Sequence, residues 1–239
     1  MTSANELRRY LSRLLGWSNT SAIDNALRSL DLAREHRAQL LLCGGGDLVP
    51  IAYAIHRRAL GPDRPFVVCD PRRGNTRATV RAPANYVDVD AAFAAAAGGS
   101  LCVRRRRLPD EFATLAERLR SSHEVQYICL DESSLHWLVR PGPIEIPSLR
   151  ERPDDIPRIV DECLLDAASE LPWACPLSAQ DRTWLIDSAS SSTFPDLEKS
   201  TARLVALRSS DRISQAAAQL GMTASRCRGG WNGGDCLRG

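Results

Sequence analysis

Short apolar runs recur through the first half of the chain: QLLLC (39–43), PFVVC (65–69), GSLCV (99–103), VQYICL (125–130) and PIEI (143–146). Each is of strand length. Most are separated by segments with helical spacing, Ile51 to Leu60, Val89 to Ala97 and Asp110 to Leu119. Upstream, SAIDNALRSLDLAREHRA places Ile23, Ala26, Leu27, Leu30 and Ala33 on one helix face, with Ser21 as its cap. Strands alternating with helices predict an α/β fold, a largely parallel sheet covered by helices on both faces.

From Ser148 the strand pattern stops. The remaining segments have helical spacing only: Pro153 to Leu171, Ser178 to Asp187 and Pro195 to Leu207, with Pro153 and Pro195 where a first helical turn tolerates proline. The last stretch, DRISQAAAQLGMTASRCRGGWNGGDCLRG, begins as an amphipathic helix and ends rich in glycine. The expected organisation is an α/β domain over 1–147, a helical subdomain over 148–209 and a short segment over 210–239.

Composition narrows the chemistry. With 239 residues, 44% of them hydrophobic, the chain can bury one substantial core and a small appendage, and a net charge of +2 gives no general attraction to polyanions. Lys199 is the one lysine; the other thirty basic residues are arginine. Eight cysteines are scattered at positions 43, 69, 102, 129, 163, 175, 227 and 236, with no CxxC pair and no histidine at ligand spacing. Four of them fall inside expected strands, where a thiol behaves as a small hydrophobe, so neither zinc nor a disulfide framework is expected. The N-terminus lacks the apolar centre of a signal peptide, and no apolar run approaches the ~20 residues that span a bilayer. A cytoplasmic protein without membrane contact is the expectation.

Several segments together resemble one family. IEIPSLRERPDDIPRIVDECLLDA is similar to the passage from last strand to lid in the AAA+ domain of NtrC-like, sigma-54-dependent enhancer-binding activators, and PSLRERPDDIP is its most specific piece. AYAIHRRALGPDRPFVVCD resembles the helix after the phosphate loop and the next strand, AAFAAAAGGSLCV the approach to the metal-binding strand, DLEKSTARLVAL the lid helix, and ISQAAAQLGMTAS the Fis-type helix-turn-helix. They keep the family's order over roughly Trp17 to Ser225. The resemblance implies a P-loop-type AAA+ sheet sandwiched by helices, an all-helical lid and a C-terminal helix-turn-helix. In a working member it implies a ring-forming ATPase that uses ATP and magnesium to remodel sigma-54 RNA polymerase.

The functional positions depart from that pattern. A phosphate loop needs glycines for backbone approach, a lysine for the terminal phosphates and a hydroxyl for magnesium. Here the loop reads Gly44, Gly45, Gly46, Asp47, Leu48, Val49, so the lysine register holds Leu48, the hydroxyl register Val49, and Asp47 puts negative charge where phosphates would lie. No lysine precedes Lys199, so no shift of register restores the motif. The metal-binding strand should end in Asp-Glu; GGSLCVRRRRLPDEF puts Arg104 and Arg105 there, and Arg106 and Arg107 extend the run. Two readings stand for these four arginines, a solvated basic loop or a pocket for an anion, an acidic partner or nucleic acid.

VQYICLDESS also ends in a carboxylate pair, Asp131 and Glu132, and is the alternative catalytic candidate. Its neighbours place it in the slot of the following strand, which in the family senses the γ-phosphate. Pro195 occupies the position matching the family's nucleotide-reaching lid arginine, the stretch from Leu130 to Pro143 is short for an arginine-finger region, and DPRRGNTRATVRAPANYVDVD holds nothing like the GAFTGA sigma-54 contact loop. In ISQAAAQLGMTAS, Ala216, Ala217 and Leu220 would face inward, Gly221 would make the turn and Thr223 would cap a second helix presenting Ser225, Arg226 and Arg228 to DNA. Gly229 and Gly230 would end that helix early.

These features predict a pseudo-ATPase: a transcription-regulatory protein that has kept the AAA+ architecture and lost hydrolysis, with no cofactor. Its partners would be other AAA+ or transcription proteins, and DNA through the C-terminal segment. Two alternatives remain, a weak ATP-binding or ATP-hydrolysing activator using Asp131 and Glu132, and a gene remnant without selected function.

Overall fold

The structure, a computed structural model, describes residues 4–79, 82–132, 142–171 and 177–228. The chain divides into two compact units between Arg152 and Pro153.

The first unit opens with helices α1 (Ala4–Leu15) and α2 (Thr20–His36). The side chain of Asn19, not Ser21, caps α2 by accepting from the Ala22 N–H at 3.3 Å. Both residue types suit the position, and the helix simply begins one residue before Ser21. Then come β1 (Leu40–Cys43), α3 (Val49–Ala59), β2 (Phe66–Cys69), β3 (Ala84–Tyr86), α4 (Val89–Ala95), β4 (Ser100–Arg104), α5 (Phe112–Ser121), β5 (Gln126–Asp131) and β6 (Ile144–Glu145). A single 3-10 turn over Arg105–Arg107 succeeds β4.

The six strands form one parallel sheet in the order β3-β2-β4-β5-β1-β6. All four residues of β1 and of β2 are buried, as strands covered on both faces must be. Alternate residues divide between the two layers. Leu41, Cys43, Val67, Cys69, Leu101 and Val103 pack with Val89 and Ala92 of α4 and Leu115 of α5. On the opposite face, His56 of α3 meets Ser100 of β4: its Nδ1 lies 2.8 Å from the Ser100 Oγ, and its Nε2 lies 3.0 Å from the Arg64 carbonyl. Burial lowers the His56 pKa, so the ring stays neutral between these partners.

β3 carries no apolar run, and the hydrophobic pattern does not predict it. Asn85 holds it in place, donating from Nδ2 to the carbonyls of Asp70, Arg73 and Gly74 while its Oδ1 accepts from the Asp70 N–H.

The second unit is helical. It contains α6 (Ile156–Glu170), α7 (Ala179–Ala189), α8 (Phe194–Arg208), α9 (Ile213–Gln219) and α10 (Ala224–Arg228). Ser178 and Asp181 form a reciprocal capping box at the start of α7, and Arg208 of α8 closes on Asp181 at 2.7 Å. Ala167, Leu171, Val205, Ala206, Ala216, Ala217, Leu220 and Cys227 pack together in one of its buried clusters.

Candidate functional site

In an open parallel sheet, ligands bind at the carboxyl ends of the strands. Here the strand register determines what stands there. Cys69 of β2 pairs with Val103 of β4, so one residue further on Asp70 stands beside Arg104. Arg104 in turn pairs with Leu130 of β5, so Arg105 emerges beside Asp131. The loop after β1 brings Asp47 to the same edge.

Arg104 is the centre of the resulting cluster. Its Nη2 donates to Asp47 Oδ1 at 2.6 Å and its Nη1 to Asp70 Oδ2 at 2.9 Å. The Arg104 side chain is 12% exposed and that of Asp70 is 0%. Arg107 adds a bond to Asp70 Oδ2 at 3.2 Å, and Arg73 reaches Asp70 at 3.6 Å and Asp47 at 3.4 Å. A second group stands beside the first: Arg105 donates to Asp131 at 2.7 Å, and Arg106 pairs with Glu132. All four arginines of the 104–107 run are thus engaged by carboxylates. Arg106 keeps the most solvent contact, and Arg105 and Arg107 are each partly exposed.

A side chain of the glycine loop takes up one of the donors beside it. Asp47 Oδ1 accepts from the Val49 N–H at the start of α3, at 3.1 Å, taking a helix-terminal donor of the kind that binds phosphate elsewhere. Burial alone would raise the Asp47 pKa, but Arg104, the Val49 N–H and Arg73 outweigh it and hold the carboxyl below its usual range. Leu48 is buried at 3% exposure. At Gly44 a Cβ would come 3.0 Å from the Ile146 carbonyl, so this glycine serves the close passage of the chain beyond β6. A carboxylate therefore stands at the helix terminus and guanidinium groups at the strand end.

No family model matches the sequence, and no curated protein matches it. Solved structures do. The crystal structure of NtrX from Brucella abortus is 16% identical, with 80% of this chain and 50% of that one covered at a TM-score of 0.48. A second structure of that NtrX, in complex with ATP, is 15% identical, with 87% and 66% covered at a TM-score of 0.47. The chain thus spans half of one and 66% of the other. Likeness at this level does not bear on activity. The architecture rests on the sheet itself, six parallel strands between helices.

Among the expected site residues, the structure joins Asp47, Arg104, Arg105, Arg106, Arg107, Asp131 and Glu132 along one sheet edge. It adds Asp70 and Arg73, which the motif pattern does not single out. The legible signal is Asp70 itself, a carboxylate directly after the apolar run FVVC, which is where a strand delivers a side chain to the edge. Pro195 lies buried in the first turn of α8.

The six described cysteines are buried thiols outside any disulfide. Burial, with Asp131 next, pushes the Cys43 thiol up to about 11, and burial, with Asp70 next, does the same for Cys69. Such thiols are poor nucleophiles. No group of three or more histidine, cysteine or acidic side chains suited to a metal occurs among the described residues.

α9 and α10 form a hairpin with Gly221 at φ 64° in the turn, and Ala216, Ala217 and Leu220 are buried as their spacing implies. Thr223 and Ser225 lie at the start of α10, their hydroxyls 3.1 Å apart. The side chains of Arg226 and Arg228 lie outside the described residues. No helix among the described residues is long and apolar enough to cross a membrane.

Proposed function

We propose that this chain is a non-hydrolysing, AAA+-like transcription-regulatory protein of the bacterial cytoplasm, acting through protein and DNA contacts rather than nucleotide turnover. The Arg104 cluster supports the reading best. Where phosphoryl transfer needs a lysine and a magnesium-holding acidic pair, this chain has an internal ion-pair network that joins its own loop carboxylate to its own strand-end arginines. Asp131 and Glu132 pair with Arg105 and Arg106, which supports reading them as ion-pair partners rather than metal ligands. The surfaces left to do the work are the exposed parts of Arg106 and Arg107, for an acidic partner, and the start of α10 with Thr223 and Ser225, for DNA.

Calorimetric titration of the full chain with ATP and magnesium tests the first half. No heat of binding is expected up to about 1 mM, a limit that corresponds to about −4 kcal/mol. Micromolar binding that needs magnesium and disappears in Asp131→Ala would replace this reading with that of a weak ATPase. For the DNA half, a gel shift over a salt series should show retardation that weakens steeply as salt rises. Lack of retardation even at low salt would remove the DNA role.

A further inference from the structure

On the face of the sheet that carries α5 there is a cavity of about 530 Å³, within the range of small-molecule sites. Its floor comes from alternate strand positions, Leu41 of β1 with Tyr127 and Cys129 of β5. Its wall is Phe112, Ala116 and Leu119, spaced i, i+4, i+7 along α5. Leu115, the residue of α5 that enters the core, is fully buried, while Phe112 and Leu119 are only partly covered. An apolar helix stripe and an apolar strand face thus meet with space between them.

Basic side chains also line this space, among them His36, Arg37, Arg120 and His123. His36 and Arg120 have acidic neighbours, Glu35 at 4.0 Å and Glu117 at 3.0 Å. Arg37 has none among the described residues. Instead it lies within electrostatic reach of a second cation, Arg64, and partial burial together with that repulsion weakens its hold on its proton. Arg37 is also the one non-glycine residue with positive φ among the described residues, 53°, at a helix end where glycine is the usual choice. A half-buried guanidinium without a counter-charge is costly, and a bound anion would remove that cost.

We propose that this cavity binds a small amphipathic organic acid, its carboxylate on Arg37 and its aromatic or aliphatic body between α5 and the β1–β5 face. The site is separate from the strand-edge cluster except for Arg105, which lines the cavity and also bonds to Asp131. The proposal does not depend on the pseudo-ATPase reading, because it stands whether or not nucleotide binds.

The test is calorimetric titration of the full chain with naphthoate, phenylbutanoate and octanoate, each alongside its neutral primary amide. At least one acid should bind, and its amide should bind at least about tenfold more weakly, the worth of one charged hydrogen bond. Arg37→Asn, which suits the left-handed backbone, should weaken the acid by a similar factor and leave the amide unchanged. Ala116→Trp, checked by circular dichroism for an unchanged fold, should fill the space and abolish both. If no acid binds at about 1 mM, if acid and amide bind equally, or if Arg37→Asn binds the acid as the wild type does, the proposal is wrong.

Discussion

Replacing Asp70 by asparagine keeps the shape of the side chain and removes one charge from the centre of the strand-edge cluster. Three guanidinium groups converge on this carboxylate. Arg104 lies at 2.9 Å and is 12% exposed, Arg107 lies at 3.2 Å and is 37% exposed, and Arg73 lies at 3.6 Å and is 51% exposed. Only the first is shielded from water, so it should carry most of the loss, about 3 kcal/mol for breaking one side of a buried pair. The two solvated partners are screened and together add no more than about 1 kcal/mol. The Arg72 N–H, 3.1 Å from Asp70 Oδ1, can still be accepted by the asparagine oxygen. The expected total is therefore about 3 to 4 kcal/mol, which at a urea slope of about 2 kcal/mol per molar moves the midpoint down by roughly 1.5 to 2 M.

Urea unfolding read by hydrogen exchange of peptides spanning β2 and β4 would measure this in the α/β unit alone. A suitable reference in the same unit is Asp24→Asn, whose partner Arg8 lies at 2.9 Å with both side chains 48–51% exposed; it should cost under about 1 kcal/mol. An Asp70→Asn midpoint within about 0.5 M of wild type would show that the cluster is not an electrostatic keystone, and the argument from burial would fail.

His56 is neutral in the fold with a lowered pKa, so below about pH 6.5 the unfolded chain takes up a proton that the folded chain refuses. Its contribution is complete above that pH and falls by up to about 1.4 kcal/mol per unit as the pH drops towards the folded pKa. A pH series of unfolding midpoints for wild type and His56→Gln should differ by this slope; parallel profiles would contradict it. A Cβ on Gly99 would sit 2.0 Å from the Pro65 carbonyl oxygen, a backbone atom, so Gly99→Ala should cost more than about 2 kcal/mol. Gly98→Ala meets nothing within 4 Å and bears only its φ of +75°, about 1 kcal/mol; thermal melts giving the reverse order would refute the steric account.

Much of the sheet is legible in the sequence because β1, β2, β4 and β5 are short, largely apolar runs, and burial on both faces leaves little room for polar residues. β3 is not, since Ala84–Tyr86 is held by side-chain bonds from Asn85 that no hydrophobic pattern reports. The candidate site is legible in its parts. The misplaced Asp47 and the arginines at 104 and 105 stand out against the phosphate-loop requirements, but their pairing across 57 residues depends on register, which the sequence does not state. The cavity beside α5 leaves no sequence signal, because Phe112, Ala116 and Leu119 read as an ordinary core-facing stripe.

The Arg104 pairs have a consequence for how the sheet assembles. They join residues 34 and 57 positions apart, so they form only once β2 lies beside β4 and the loop after β1 has reached the same end of the sheet. A strand shifted by one residue turns every side chain to the other face. Were β4 to slip in this way, Leu101 and Val103 could exchange layers with Cys102 at modest cost in apolar burial, although the Ser100 contact with His56 would break. Asp70 could not adapt in the same way. It would stay buried without Arg104, the one partner shielded from water, a penalty of about 3 kcal/mol that apolar packing alone would not impose. Among β1, β2, β4 and β5, whose apolar runs resemble one another, this charged edge distinguishes the native alignment from its neighbours.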